Sequence, residues 1–368
     1  MRNHKLKNCF ERGSNVAKLL LLFFFSSLVF AANEPPKQQD RLVDDRQKEL
    51  VVNGFINELK ASYIFPEKVE KFEQAIRIFQ TKREYRQNTS SINLANKVNE
   101  MLAREIGDGH LFFGYSEREL PVVESDESIL AIEKQHELDF MRALNWGIEK
   151  VQRFSFNIGY IDVSMFADTA HAEETIAAAM TLVSHTEALI IDLRFSRGGD
   201  PETVALLASY FLDNPTHLSD IYDRKEQKTT QIKSRESVIG KHYGEQRPLY
   251  ILTSQDTYSA AEDFAYTLKH LNRAQIVGEV TGGGAHPGEF FRLAPHFEAF
   301  IPTARSINAV TKDNWEGKGV IPNIKVDASS ALVVAQTKIL EAVLLQENDP
   351  RRKERLRARI AKINSTKE

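Results

Sequence analysis

From about residue 157 onwards, short and uninterrupted apolar runs alternate with segments of helical pattern. Uninterrupted runs of this length are typical of strands that are buried on both faces of a sheet. Their alternation with helices predicts an α/β layer architecture with right-handed crossover connections. The predicted strands cover residues 157–163, 188–193, 249–253 and 275–278. The predicted helices cover residues 170–184, 202–212, 259–271 and 331–346.

The whole chain of 368 residues is expected to divide into five segments. Apolar residues recur at helix spacing before residue 106, which predicts a small domain of three helices, the first ending at Pro66. The final segment is rich in Lys and Arg, and a basic helix exposed to solvent is its simplest interpretation. The expected segments are a signal peptide over 1–31, a linker over 32–43, a helical domain over 44–106, an α/β domain over 107–348 and a basic tail over 349–368.

The first 31 residues have the pattern of an export signal. A basic start is followed by an apolar run from Leu19 to Phe30, which is shorter than the ~20 residues of a membrane-spanning helix. Val29 and Ala31 provide the small residues of a cleavage site, and an uncleaved anchor is the alternative. We expect no stable membrane span after cleavage.

The composition narrows the class of protein further. The formal net charge of −3 argues against a nucleic-acid binder, which normally carries a basic excess. The single cysteine, Cys9, lies in the predicted signal, so the mature chain would hold no disulfide and no thiolate metal site. Export without disulfides favours a bacterial periplasm, with secretion further out as the alternative. No cofactor and no metal ion are implied.

One segment places a serine where a predicted buried strand turns into a helix. Ser259 stands at the helix N-terminus, beside unpaired backbone N–H groups and the positive end of the helix dipole. That environment suits both a nucleophile and an oxyanion site, although a plain N-cap serine has the same position. Ser254 is a local rival on the strand side of the turn.

Three further segments hold groups that could assist such a serine. Gly198 and Gly199 follow a buried strand, and their N–H groups could stabilise an oxyanion. His110 lies between turn residues at the junction of the two predicted domains and could act as a base. Glu316 lies in a tight loop and could orient an imidazole. Each residue taken alone is compatible with a purely structural role.

Together these segments resemble the tail-specific, or C-terminal processing, protease family. The matching stretches are GDGHL, ALIIDLRFSRGGD, TSQDTYSAAEDF, GEVTGGGAHPGEF and NWEGKGVIPNI, which occur in the family's order over about residues 110–325. The branch is similar to interphotoreceptor retinoid-binding protein and the tricorn core protease. The resemblance implies an α/β core of the ClpP/crotonase type, with the helical domain packed over the site.

The resemblance also implies a function and a set of residues. It makes the chain a serine peptidase that hydrolyses peptides or unfolded protein segments, with Ser259 as nucleophile, His110 as general base and Glu316 as the orienting carboxylate. The oxyanion hole would come from the N–H groups of Gly198 or Gly199 and of Ala260. His286 is the second candidate for the base.

The chain departs from the family at several points. Residue 284, where one branch carries a lysine base, is glycine, so the serine–lysine dyad is absent. Gly109 replaces the hydroxyl residue that the tricorn branch has before its histidine, and Asn323 replaces a frequent aspartate. The 47 residues between His110 and the strand at 157 are too few for a PDZ domain.

A binder without catalysis is the alternative function. The resemblance includes proteins that hold retinoids or fatty acids, and the aromatic stretches at 111–115 and 290–300 could line a pocket for such a ligand. An activated serine distinguishes the two hypotheses, because a binder would not react with a fluorophosphonate.

Overall fold

The computed structural model describes residues 38–87, 89–122 and 127–365. The predicted signal segment, its cleavage site and Cys9 lie outside these residues. The helices in chain order are α1 (Asp45–Ser62), α2 (Pro66–Thr81), α3 (Arg83–Gln87), α4 (Ser91–Glu105), α5 (Glu127–Ala143), α6 (Thr169–Val183), α7 (Pro201–Ser209), α8 (Ala260–His270), α9 (Ala328–Gln346) and α10 (Pro350–Ser365). The strands are β1 (Phe112–Tyr115), β2 (Ile148–Phe154), β3 (Ile158–Val163), β4 (Ala188–Asp192), β5 (His217–Asp223), β6 (Lys228–Lys233), β7 (Leu249–Thr253), β8 (Gln275–Gly278), β9 (Gly288–Ala294), β10 (Phe297–Pro302), β11 (Ala304–Asn308) and β12 (Ile324–Lys325).

A six-stranded sheet forms the centre of the α/β part, with the strand order β12-β8-β7-β4-β3-β2. Its strands pair in parallel, except for β2, which runs antiparallel to β3. All five residues of β4 are buried, because helices cover both faces of the sheet. The α/β prediction is therefore confirmed.

The two faces of this sheet belong to different cores. Leu189 and Ile191 of β4 pack with residues of α6, α7 and α8. Ile190, between them, points to the other face and packs with residues of α9 and α10. This alternation is the period-2 geometry of a strand, here with an apolar environment on both sides.

The N-terminal helices form a third core with a small antiparallel sheet of order β1-β10-β9. Phe55 of α1 and Phe72 of α2 meet Phe113 of β1 there, and the first ring lies 5.1 Å from the ring of Phe113. The helical segment is thus packed on strands that come from both ends of the α/β part. A second antiparallel sheet has the order β11-β5-β6.

Pro66 begins a helix rather than ending one. It stands at the first turn of α2, where its missing N–H group costs nothing and its fixed φ favours the helix. Helix α1 has already ended at Ser62, and its start is stabilised by Asp44 and Gln47 in a capping box.

Between β1 and β2 the described residues hold helix α5 and a short 3₁₀ turn, Asn145–Gly147. Within the described part of the chain, α9 is long and apolar enough to cross a membrane by length and composition alone. In this fold α9 packs against the central sheet and against α10, and 33% of its apolar window is buried.

Candidate active site

Two turns that follow neighbouring parallel strands meet at the carboxyl-terminal end of the central sheet. Strand β4 pairs with β7, so the residues after Asp192 and those after Thr253 leave the sheet side by side. The N–H of Tyr258 donates to the carbonyl of Ser196 at 3.0 Å, and the Thr257 hydroxyl donates to the carbonyl of Leu193 at 2.8 Å. These bonds fix the second turn against the first, at the carboxyl ends of the strands, where α/β proteins bind ligands.

Ser259 has a strained backbone conformation at the N-cap of α8. Its φ of 57° and ψ of −123° lie in a region that residues with a side chain rarely occupy. Strain of this kind persists only where the surroundings enforce it, and it is concentrated at functional sites. Here the Ser259 N–H donates to the Glu262 carboxylate at 2.9 Å. Ser254, the local rival, is buried, and its hydroxyl donates to the Arg194 carbonyl.

The first turn passes directly over Ser259. A Cβ atom on Gly198 would lie 2.7 Å from Ser259 Cβ and 2.8 Å from the Ala260 nitrogen, and the φ of +97° at Gly198 also requires glycine. In residues 38–87, 89–122 and 127–365, no acceptor is bonded to the N–H groups of Gly198, Gly199 or Ala260. Free N–H groups beside a serine at a helix N-terminus are the components of an oxyanion hole.

His110 lies next to the second turn, which carries Tyr258 and Ser259. Its ring centroid is 4.8 Å from that of Tyr258, the residue before Ser259, and 6.0 Å from that of Phe300. Its Nδ1 atom is buried and has no hydrogen-bond partner within the described structure. Burial is the main reason that the pKa of His110 is lowered to about 4; the positive charge of His286 acts in the same direction and the charge of Asp108 opposes it. His110 is therefore a neutral imidazole at neutral pH, the form that can accept a proton.

Glu316 contacts the backbone beside His110 rather than its ring. The Glu316 carboxylate accepts the N–H of Gly109 at 2.8 Å and the N–H of Ala285 at 2.6 Å. Burial, followed by the charge of Asp108, raises the pKa of Glu316. The structure thus brings the segments of Ser259, His110 and Glu316 together, but it has no hydrogen bond between any two of these three side chains in the described part of the protein.

Asp108 and His286 form a buried pair next to Glu316. His286 Nδ1 lies 2.8 Å from Asp108 Oδ2 and 3.4 Å from Glu316 Oε2, and the Tyr63 hydroxyl donates to Asp108 at 2.9 Å. Burial would raise the pKa of Asp108, but the hydrogen bond and the positive charge of His286 outweigh it, and the net pKa is lowered.

The donor atoms of Asp108, His286 and Glu316 all lie within 4.8 Å of one another, a spacing that a metal ion could use. The carboxylate oxygens, however, already accept hydrogen bonds from Tyr63, Gly109 and the Ala285 backbone, and the imidazole supplies the compensating donor. The cluster is satisfied as a hydrogen-bonded charge network.

A second buried carboxylate joins α8 to the glycine-rich loop. Glu262, which is fully buried, accepts bonds from the Thr281 hydroxyl and from the N–H groups of Ser259, Gly283 and Gly284. Burial raises the pKa of Glu262 to about 7 against the opposing effect of these donors. This single side chain therefore positions the start of α8 relative to the loop that contacts His110.

Sequence reasoning had named Ser259, His110, Glu316, Gly198, Gly199, Ala260 and His286. It missed Asp108, Glu262 and Tyr258, although each of them stands inside a stretch that the motifs had singled out. A carboxylate within two or three residues of a candidate catalytic residue was the available signal, because an acidic side chain beside a buried turn needs donors nearby. Asp192 and Arg194, by contrast, form a structural ion pair at 2.6 Å.

The model of peptidase family S41 matches residues 157–326 of this chain. That range contains Gly198, Gly199, Ser259, Ala260 and Glu316, while His110 and Asp108 precede it. The matched range thus includes both turns that meet at the carboxyl-terminal end of β4 and β7.

Two curated proteins match the chain in part. The carboxy-terminal processing protease CtpA of Bacillus subtilis is 27% identical over 127 residues, which are 34% of this chain and 26% of that protein. The carboxyl-terminal-processing protease of Synechocystis sp. is 28% identical over 138 residues, which are 38% of this chain and 31% of that protein. The matched segments therefore span less than a third of the length of either relative.

Solved structures extend the likeness of the fold. A protein from Parabacteroides merdae superimposes with a TM-score of 0.53 at 18% identity and covers 76% of this chain and 90% of its own. A mutant of CPAF does so with a TM-score of 0.52 at 12% identity, covering 77% and 94%. At these identities the likeness concerns the fold alone. Together with the family match it confirms the resemblance that the motifs indicated: residues 157–326 of this chain are similar to peptidase family S41.

Proposed function

We propose that this protein is a serine peptidase in which Ser259 is the nucleophile and His110 the general base. The observation that carries the proposal is the conformation of Ser259: a positive φ at a helix N-terminus, under a glycine turn with free N–H groups. The curated relatives of the domain are named as carboxy-terminal processing proteases. These relatives support hydrolysis of a peptide bond as the reaction.

In the first half of the reaction, Ser259 Oγ attacks the scissile carbonyl while its proton passes to the neutral imidazole of His110. The carbonyl oxygen becomes an anion, which the N–H groups of Ala260 and of Gly198 or Gly199 would stabilise. The imidazolium then gives its proton to the departing amine, leaving an acyl group on Ser259.

In the second half, water replaces the amine. His110 takes one proton from the water, whose oxygen attacks the acyl carbon, and returns it to Ser259 Oγ as the new carboxylate leaves. Glu316 contributes by holding the N–H of Gly109, so its proposed role is to orient the segment that carries the base.

Peptides or unfolded protein segments are the proposed substrates, because the curated relatives are named as carboxy-terminal processing proteases and glycine backbone lies directly beside Ser259. We propose that the protein acts after export, in the periplasm or outside the cell, with its first 31 residues removed as a signal. Nucleic acid is not a proposed partner.

The alternative function, a binder of a retinoid-like or fatty-acid-like ligand, has less support. Several residues of the aromatic stretches that could have lined its pocket belong to the core instead. Leu111, Phe113 and Tyr115 are buried with Phe297 in the cluster that joins the helices to the β1-β10-β9 sheet.

Fluorophosphonate labelling tests the proposal. The wild type should form a covalent adduct, and the Ser259→Ala variant should form none while keeping its fold. Ser254→Ala is the matched control, since the Ser254 hydroxyl is already bonded to a backbone carbonyl, and it should still be labelled. Labelling that persists in Ser259→Ala, or an unreactive wild type, would rule out Ser259 as an activated nucleophile.

A further inference from the structure

Two carboxylates hold two successive backbone N–H groups in the segment that carries His110. Glu316 accepts the N–H of Gly109 at 2.8 Å, and Asp108 accepts the N–H of His110 at 3.1 Å. The position of the His110 ring next to Tyr258 therefore depends on where these two carboxylates stand. Like charges in a buried site repel each other, so the carboxylates need a partner that draws them together.

His286 stands at the point where that partner is required. Its Nδ1 atom is 2.8 Å from Asp108 and 3.4 Å from Glu316, and its side chain is only 5% exposed. The rest of its ring packs edge-on against Phe65, with 5.1 Å between the ring centroids. Tyr63, at the end of α1, donates to the same Asp108 oxygen.

We propose that His286 is a positioning residue that bridges Asp108 and Glu316 and thereby holds the Gly109–His110 backbone in its reactive place. This inference rests on the proposed function, in which His110 is the base. In this inference His286 acts through Asp108 and Glu316 and is not itself the base. The helical segment takes part through Tyr63, which donates to the Asp108 oxygen that His286 also contacts.

Asparagine offers a selective replacement for testing this. Its amide nitrogen is the same number of bonds from Cα as histidine Nδ1 and also carries hydrogen, so His286→Asn keeps a donor between the carboxylates. His286→Ala removes the donor and the ring, and His286→Leu removes the donor while filling most of the space. The three variants separate loss of the bridge from loss of volume.

The first measurement is peptide hydrolysis. His286→Ala and His286→Leu should lose on the order of 100-fold in kcat/KM, mainly through kcat, because the base is displaced while the peptide-binding edge is intact. His286→Asn should recover to within about tenfold of the wild type, because it keeps a donor between the two carboxylates although it loses the ring that packs against Phe65.

The second measurement is hydrogen–deuterium exchange, which requires no activity. The amides of Gly109 and His110 should exchange at least about tenfold faster in His286→Ala and His286→Leu than in the wild type or His286→Asn. The amides of Ile190 and Ile191 in β4 are the internal control and should be unchanged.

Unchanged exchange at Gly109 and His110 in both His286→Ala and His286→Leu would overturn the proposal. So would a His286→Asn variant as inactive as His286→Ala if His110→Ala still reacted with a fluorophosphonate, because His286 would then be the base. If the wild type neither hydrolyses peptides nor reacts with a fluorophosphonate, the proposed function fails. The exchange data alone then decide whether His286 holds the Gly109–His110 segment.

Discussion

At the scale of single residues, the environment of His110, the proposed base, decides the pH range of the proposed reaction. The ring is packed between aromatic neighbours, and its buried Nδ1 has no partner among the residues described. An imidazole in such surroundings resists protonation, because water no longer stabilises its charged form. The base is then available at pH values where an exposed histidine is already charged.

The pH profile of peptide hydrolysis should show this directly. Since the neutral imidazole is the active form and the pKa of His110 is lowered to about 4, kcat/KM should rise through about pH 4 and level off by about pH 6. Initial rates between pH 3.5 and 8, with circular dichroism to confirm folding, make the check. An acid limb centred near 6.5, the ordinary histidine value, would contradict the assignment.

The same shift acts on the stability of the fold. The pKa of His110 is lower in the folded chain than 6.5, the ordinary value for a histidine in the unfolded chain. As the pH falls from about 6.5 to about 4, His110 binds a proton in the unfolded chain but not in the folded chain. The free energy of unfolding therefore decreases over that range.

At the scale of elements, the turn between β4 and α7 packs too closely against Ser259 for Gly198 to carry a side chain. Replacing Gly198 by Ala should lower kcat/KM by on the order of 100-fold or more, because the added Cβ would lie against Ser259 Cβ and the Ala260 nitrogen and would disturb the oxyanion hole. The positive φ at Gly198 adds a backbone strain of about 1 kcal/mol. Kinetics and thermal denaturation measure the two effects separately.

Gly54→Ala is the matched control for that substitution. Gly54 lies in α1, and a Cβ atom there would meet nothing within 4 Å. Alanine favours the helix over glycine by about 1 kcal/mol, so this variant should be active and slightly more stable. If Gly198→Ala were as active as Gly54→Ala, the turn would not belong to the site.

The elements that the sequence pattern predicted best are the ones that burial alone specifies. The runs at 249–253 and 275–278 were placed at their observed bounds, and 188–193 was one residue too long. Helix α5 and the β5-β6 hairpin were not predicted. Strand β6 shows why: of its six residues only Ile232 is buried, so its pattern carries almost no apolar signal.

The candidate site also has a part that local patterns predict and a part that they do not. Ser259, His110 and Glu316 were predicted from motifs whose residue types suit the proposed chemistry. The bridge of His286 to Asp108 joins residues 178 apart in sequence, and the bond of Glu316 to Gly109 joins residues 207 apart. Contacts over such distances follow from how the sheets pack, which no local pattern records.

At the scale of the whole molecule, the last helix is part of the core. The segment after residue 349 was expected to be a solvated basic tail, and α10 does expose most of its charged side chains. Its Leu356 and Ile363, however, are buried with α9 against one face of the central sheet. The helix therefore covers apolar surface on the side of the sheet opposite to α8.

Leu356→Ala should lower the free energy of unfolding by about 3 kcal/mol, because it leaves a cavity in a fully buried position. Leu345→Ala, in the same pair of helices, changes a side chain that is 86% exposed and should alter stability by less than about 0.5 kcal/mol. Urea denaturation of both variants gives the comparison. Equal effects would mean that α10 is not docked on the core.

The central claim is that the strained residue at the start of α8 does the chemistry, and the rate of peptide hydrolysis by Ser259→Ala tests it most directly. The account predicts that hydrolysis falls to the background of the uncatalysed reaction while the circular dichroism spectrum and the midpoint of unfolding match those of the wild type. Hydrolysis at an undiminished rate by a folded Ser259→Ala variant would contradict it.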